Sequence, residues 1–178
     1  MNRYLLEGTV TRRLLLRNLQ EADFEDWLPF HKDPASSAYW EGLPKTPVEA
    51  CREQFDRIFE RYRKDLGGMN ALIDRESGAL LGMAGLLVQE VDGLLELEIG
   101  YSLLPGARGL GYACEAARHC RDEAFRRGWA ETLISIIHVH NEPSMRVARR
   151  MGMQPEKDTL YKGNPVRIFR IRVDTGFL

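Results

Sequence analysis

Polarity alternates with a period of two over Leu94–Leu103, the most regular stretch of the chain. Leu95, Leu97, Ile99, Tyr101 and Leu103 fall on one face and Glu96, Glu98, Gly100 and Ser102 on the other, as successive strand side chains do. Two apolar runs precede it, at residues 69–74 and 80–89, punctuated by Arg75-Glu76-Ser77-Gly78 and Val91-Asp92-Gly93. Turns this short join antiparallel neighbours, so the three segments are predicted to pair in series. Thr132–His138 has an apolar centre, the mark of a strand buried on both faces. A first strand is predicted at residues 13–19. Two last ones, at 156–161 and 166–173, flank Lys162-Gly163-Asn164-Pro165.

Elsewhere the period is helical. Thr46 can cap, Pro47 suits a first helical position and Glu49 completes a capping box, which starts a helix running to about Lys64. Its expected buried stripe is Val48, Cys51, Phe55, Ile58, Phe59 and Tyr62. A second helix opens at Gly109 or Gly111, ends near Arg127 before Gly128, and carries small inner residues: Ala113, Ala116, Ala117, Cys120 and Ala124. A third spans residues 142–151, capped by Asn141 and stopped by Gly152. Residues 21–31 form a short helix with Phe24, Trp27 and Leu28 inward. Residues 32–45, with exposed-looking Tyr39 and Trp40, read as a loop. The pattern predicts one α/β domain over residues 1–178: a mixed, mostly antiparallel sheet of about seven strands, with helices on both faces.

The 178 residues suit one domain with a proper core. A net charge of −1 without a polybasic tract argues against nucleic acid as the primary ligand. No run of about eighteen apolar residues is present, so no membrane span is expected. The N-terminal residues lack the apolar core of a signal peptide. Three cysteines without framework spacing read as reduced thiols in a cytoplasmic protein, with neither disulfide nor metal.

The chemistry concentrates in Leu104-Pro105-Gly106-Ala107-Arg108-Gly109-Leu110-Gly111-Tyr112-Ala113, between a strand and a helix start. Such a turn converges unpaired N–H donors and the positive end of a helix dipole, which suits phosphate. A nucleoside-triphosphate loop would need Lys-Ser or Lys-Thr after its second glycine, where Tyr112-Ala113 stands. A dinucleotide fingerprint would close on glycine or alanine, where Cys114 stands, and would open a βαβ unit.

The Arg-x-x-Gly-x-Ala pattern from Arg108 to Ala113 instead resembles the GNAT superfamily of N-acetyltransferases. Glu98-Ile99-Gly100-Tyr101 precedes it, and Glu115-Ala116, Asn141-Glu142-Pro143-Ser144 and Met151-Gly152-Met153 follow. Their order is similar to that of the RimJ/RimL-type branch, which acetylates protein N-terminal amines or small amines. The resemblance runs from about Arg13 to Val173. It implies a GNAT-like acyl-coenzyme A fold in which Leu94–Leu103 and Thr132–His138 are parallel and splay apart. Acetyl-coenzyme A would lie between them as cosubstrate. Backbone groups of Leu103 and Leu104, the cradle Arg108, Gly109, Leu110, Gly111, Tyr112 and Ala113, and the side chain of Asn141 would bind it. No metal is implied.

Transfer to an amine needs a neutral nucleophile, a polarised thioester carbonyl and a protonated leaving thiolate. Glu98 is the candidate base, through water, with Glu96 as the fallback; N–H groups near Leu103 and Leu104 would polarise the carbonyl. An α-amine of pKa near 8 is about a tenth neutral at pH 7, and a lysine about a two-thousandth, so a weak base suits an N-terminal amine. Many members of the family carry a tyrosine general acid where Ala148 stands here; Ser144 matches the serine of the Rim-like branch. Arg108 would pair with pyrophosphate, and Tyr39 and Trp40 could line the acceptor site. The expected partner is a peptide N-terminus or a small-molecule amine, with monomer and homodimer both open. The alternatives are a non-catalytic acyl-coenzyme A sensor and, on the lone Gly-x-Gly, a nucleotide-dependent oxidoreductase.

Overall fold

The computed structural model describes residues 2–40, 42 and 46–174. Its elements are β1 (Leu14–Asn18), α1 (Phe24–Lys32), α2 (Pro34–Ser37), α3 (Pro47–Arg63), β2 (Gly67–Asp74), β3 (Leu80–Val91), β4 (Leu94–Leu103), α4 (Tyr112–Arg126), β5 (Thr132–His138), α5 (Glu142–Arg150), β6 (Gln154–Tyr161) and β7 (Asn164–Arg172). Single 3₁₀ turns precede α1 and α4. The seven strands form one sheet in the order β1-β2-β3-β4-β5-β7-β6. Every pairing is antiparallel except β4 with β5.

Side-chain alternation sorts the core into layers. Ala84 and Leu86 of β3, Leu97, Ile99 and Leu103 of β4, and Leu133 and Ile137 of β5 bury one face. α4 covers it with Ala116, Ala117, Cys120 and Ala124, and α5 with Met145 and Ala148. The other face divides. α1 and α3 cover β2 and β3 through Trp27, Cys51, Phe55, Ile58, Ala71 and Met83. Ile134, Ile136, Val166 and Ile168 form a separate apolar floor, with Trp40 and Tyr161 against it.

Some expectations change. Residues 32–45 are not all loop, because Asp33 caps Pro34 and a single helical turn forms; residues 41 and 43–45 lie outside the described residues. Val48, in the first turn of α3, is 53% exposed, while Cys51, Phe55 and Ile58 are buried. Leu95 is 76% exposed at the hairpin end of β4. The last turn narrows to Lys162 and Gly163, with Asn164 already in β7.

Candidate active site

The parallel pair is the feature that organises the site. β3 and β4 pair over ten residues, whereas β4 and β5 share one register pair, Glu98 opposite Ile134. Beyond it the strands fork. Two side chains occupy the crotch: Ser135 Oγ donates to the Ile99 carbonyl at 2.9 Å, and the Glu98 carboxylate faces the Ile136 backbone, which acts to lower its pKa. Along β4, Leu104 N–H donates to the Leu81 carbonyl at 3.0 Å. That N–H is spent in the sheet, and alternation turns the Leu103 N–H toward the gap. Of the two groups expected to polarise a carbonyl, only that of Leu103 has the right side of the strand.

At the open end, Gly109 and Gly111 have φ of +75° and +84°, and a Cβ on Gly109 would meet nothing within 4 Å. These left-handed residues turn successive N–H groups to one side, as in an anion-binding nest. Gly111 is the N-cap of α4 and supplies no side-chain cap, so the first-turn donors of Tyr112 and Ala113 stay available. Leu110 is exposed. Arg13, not singled out from the sequence, braces this loop. It donates to the Leu110 carbonyl at 2.9 Å, pairs with Glu115 at 2.6 Å and lies 4.1 Å from the Tyr112 ring centroid. An open groove of about 570 Å³ runs from Gly111 along α4 to Arg118 and Arg150.

Arg108 does something other than expected. Its guanidinium pairs with Asp33 at 2.6 Å, donates to Ser36 Oγ at 2.7 Å and reaches back to the Leu103 carbonyl at 3.2 Å. The side chain ties the loop to α2 and is not presented to a phosphate; its N–H remains part of the loop. The Asp33 carboxyl is held below its ordinary range by that contact.

The two carboxylates of β4 have separate fates. Glu96 is bound at both oxygens by Arg170, at 2.6 and 3.0 Å, with both side chains about 15% exposed. It is part of the sheet's framework. Glu98 is partly buried and accepts from Gln89 Nε2 at 2.8 Å. Burial pushes its pKa up, and Gln89, Arg61, the Ile136 backbone and Lys162 offset this only in part, so it sits above the ordinary carboxylate range.

Asn141 caps α5, its Oδ1 accepting from the Ser144 N–H at 3.2 Å. The Ser144 carbonyl accepts from the partly buried Tyr101 hydroxyl at 2.8 Å, which ties α5 to β4. The Ser144 hydroxyl is partly exposed and lies against the Tyr101 hydroxyl, where it helps to offset the burial of that phenol. Ala148 is fully buried against the sheet, in the core. On the opposite face, Tyr39 and Trp40 stand with their ring centroids 5.6 and 6.2 Å from His138. The His140 N–H donates to His138 Nδ1 at 3.2 Å. Among the described residues, no group of three or more His, Cys, Asp or Glu could hold a metal.

A forked parallel pair beside a helix-capping nest defines an acyl-coenzyme A transferase type of site. The family model for the GNAT acetyltransferase domain matches residues 13–154, and the chain belongs to that family of acetyl-coenzyme A-dependent acetyltransferases. It is similar to the uncharacterized protein YkkB of Bacillus subtilis (strain 168), 29% identical over 90% of this chain and 92% of the relative. Among solved structures it resembles an acetyltransferase from Agrobacterium tumefaciens str. C58, 28% identical with TM-score 0.77, covering 93% of this chain and 94% of the other. It also shares the fold of RimL, a ribosomal L7/L12 alpha-N-protein acetyltransferase solved with coenzyme A. That likeness has TM-score 0.72 at 18% identity, over 94% of this chain and 98% of the other. No described helix is long and apolar enough to cross a membrane.

Proposed function

We propose that this protein moves an acetyl group from acetyl-coenzyme A to a primary amine, a protein N-terminal α-amine or a small-molecule amine, by direct attack in a ternary complex. The observation that carries the reading is the single register pair between β4 and β5, with backbone groups turned into the gap beyond it. The likeness to RimL supports placing the chain in the RimJ/RimL-like branch. Three free cysteines fit a reducing, cytoplasmic setting.

The cosubstrate fits the residues present. The uncapped donors at 109–113 would hold its diphosphate, the forked edge of β4 its amide-bearing arm, and Asn141 can serve that arm with the side-chain N–H₂ its cap leaves over. When bound, it supplies the acetyl group as an activated thioester. Glu98 takes a proton from the acceptor ammonium through water; its raised pKa brings it nearer the operating pH, where a base works best. The Leu103 N–H, turned into the gap, would polarise the carbonyl oxygen. The Ser144 hydroxyl, in the first turn of α5 and against the Tyr101 hydroxyl, would donate to the departing sulfur, with Tyr101 beside it to replace the proton. With Ala148 buried in the core, no tyrosine occupies the usual general-acid position.

The test is thiol release from acetyl-coenzyme A with a panel of peptides and small amines. Glu98→Gln is expected to lose most turnover and the acid limb of the pH profile. Ser144→Ala is expected to lower kcat with little change in KM. Full activity of both variants at every pH would refute the assignments. Coenzyme A binding with no turnover of any amine would favour a sensor.

A further inference from the structure

A polar chain through four elements leads to Glu98. Gln89 lies on β3, opposite Glu96, on the same face as Glu98. Its Oε1 accepts from Arg61 Nη2 of α3 and from the Tyr161 hydroxyl of β6, each at 2.8 Å. Two donors fill the two lone pairs of that oxygen and fix which way the amide points, since guanidinium cannot accept. Nε2 is left facing Glu98, to which it donates at 2.8 Å. Arg61 is itself fixed: its Nη1 donates to the carbonyls of Leu66 and Val88, both at 3.0 Å. A network this complete over the half-buried Glu98 is far more directional than packing alone requires.

We propose that Gln89 is a positioning residue for acetyl transfer: its amide, oriented by Arg61 and Tyr161, aims the Glu98 carboxylate at the fork and stabilises its proton-accepting form. This rests on Glu98 being the base. The groups around Glu98 are Arg61 of α3 with Arg57 behind it, Tyr161 of β6 and Lys162 of the following turn. β5 supplies the Ile136 backbone, with His138 further along the same face. On β4 itself stand Tyr101, on the other face, and Glu96, neutralised by Arg170 of β7. After burial, Gln89 is the largest influence on the ionisation of Glu98, and it acts downward. Removing it leaves the burial penalty and the more distant charges, so the proton is held more tightly.

The experiment measures kcat/KM against pH for the parent, Gln89→Met and Tyr161→Phe, with Glu98→Gln as the reference that defines which limb belongs to Glu98. A hydrogen bond to a charged group is strong enough to move that limb by about one pH unit. Gln89→Met is expected to shift the acid limb upward by roughly that amount. Tyr161→Phe, which loosens the lock without removing the donor, should shift it in the same direction by a smaller amount. If Glu98→Gln abolishes the limb but both other variants keep it at the parent pH, the proposal fails while the base assignment stands. If Glu98→Gln retains the limb, the base assignment itself fails. Should Gln89→Met not fold, as judged by thermal melting, the Tyr161→Phe profile decides: an unmoved limb overturns the proposal.

Discussion

Removing Arg170 tests whether the closed end of the fork is held by charge. Its guanidinium donates to both oxygens of Glu96, to Thr132 Oγ1 at 3.0 Å and to Glu156 at 2.7 Å, so it joins β4, β5, β6 and β7 at one point. Glu96 holds that guanidinium above its ordinary pKa against the cost of burial. Breaking a buried pair from one side costs roughly 3–5 kcal/mol, because the other charge is left desolvated without a partner. Here about a sixth of each side chain reaches solvent, and the Glu156 contact is more exposed, so the lower end applies: Arg170→Met is expected to cost about 3 kcal/mol. The assay is urea unfolding at pH 7 of Arg170→Met, Glu96→Leu and the double variant. The double variant should be more stable than the summed losses predict by at least about 1 kcal/mol, since it removes the stranded charge as well as the bond. A loss below about 1 kcal/mol for Arg170→Met, or strict additivity, would refute this account. It would also return Glu96 to consideration as a base.

Two further outcomes concern the framework. A Cβ on Gly85 would lie 2.0 Å from the Gly68 carbonyl oxygen, a backbone atom that cannot yield, whereas one on Gly106 meets nothing within 4 Å. Gly85→Ala should therefore lower stability by about 2 kcal/mol or more and Gly106→Ala by less than about 0.5, measured by denaturant midpoint. Burial pushes the Asp23 carboxyl up, but the Arg17 guanidinium at 2.7 Å and the Gln20 N–H at 2.8 Å more than offset it, so its pKa is lowered on folding. That stabilisation is complete above the unfolded value near pH 4 and is lost as pH falls through the folded one; Asp23→Asn should destabilise at pH 7 and much less at pH 3, and equal losses at both would contradict it.

What the chain discloses in one dimension depends on how local the cause is. The alternation of β4, the capping box at Thr46 and the stop at Gly128 act within a turn or a strand, and each element lies where its pattern puts it. The loop from 108 to 113 was legible for the same reason, because left-handed glycines and a helix start are backbone properties. Side-chain destinations were not. Arg108 has a nearby oxyanion ligand to serve in any local reading, yet Asp33 sits 75 residues away in sequence and captures it. Glu96 and Glu98 are equivalent by alternation; β7 brings Arg170 to one and β3 brings Gln89 to the other. Gln89 and Arg61 carried no signal, since neither belongs to a motif and both take their meaning from strand order.

The division of labour between the two carboxylates follows from where the parallel pair ends. Glu96 precedes the single register pair, where β4, β5 and β7 lie close enough for one arginine to span them, so its charge is paired and serves the sheet. Glu98 is the register residue itself. Beyond it β4 and β5 form no further register pair, and its carboxylate faces the Ile136 backbone of β5. A carboxylate in that position sets an acceptor beside the β5 backbone and faces the gap. Those are the two properties that the proposed base role calls for, so the ending of the parallel pair would account for both.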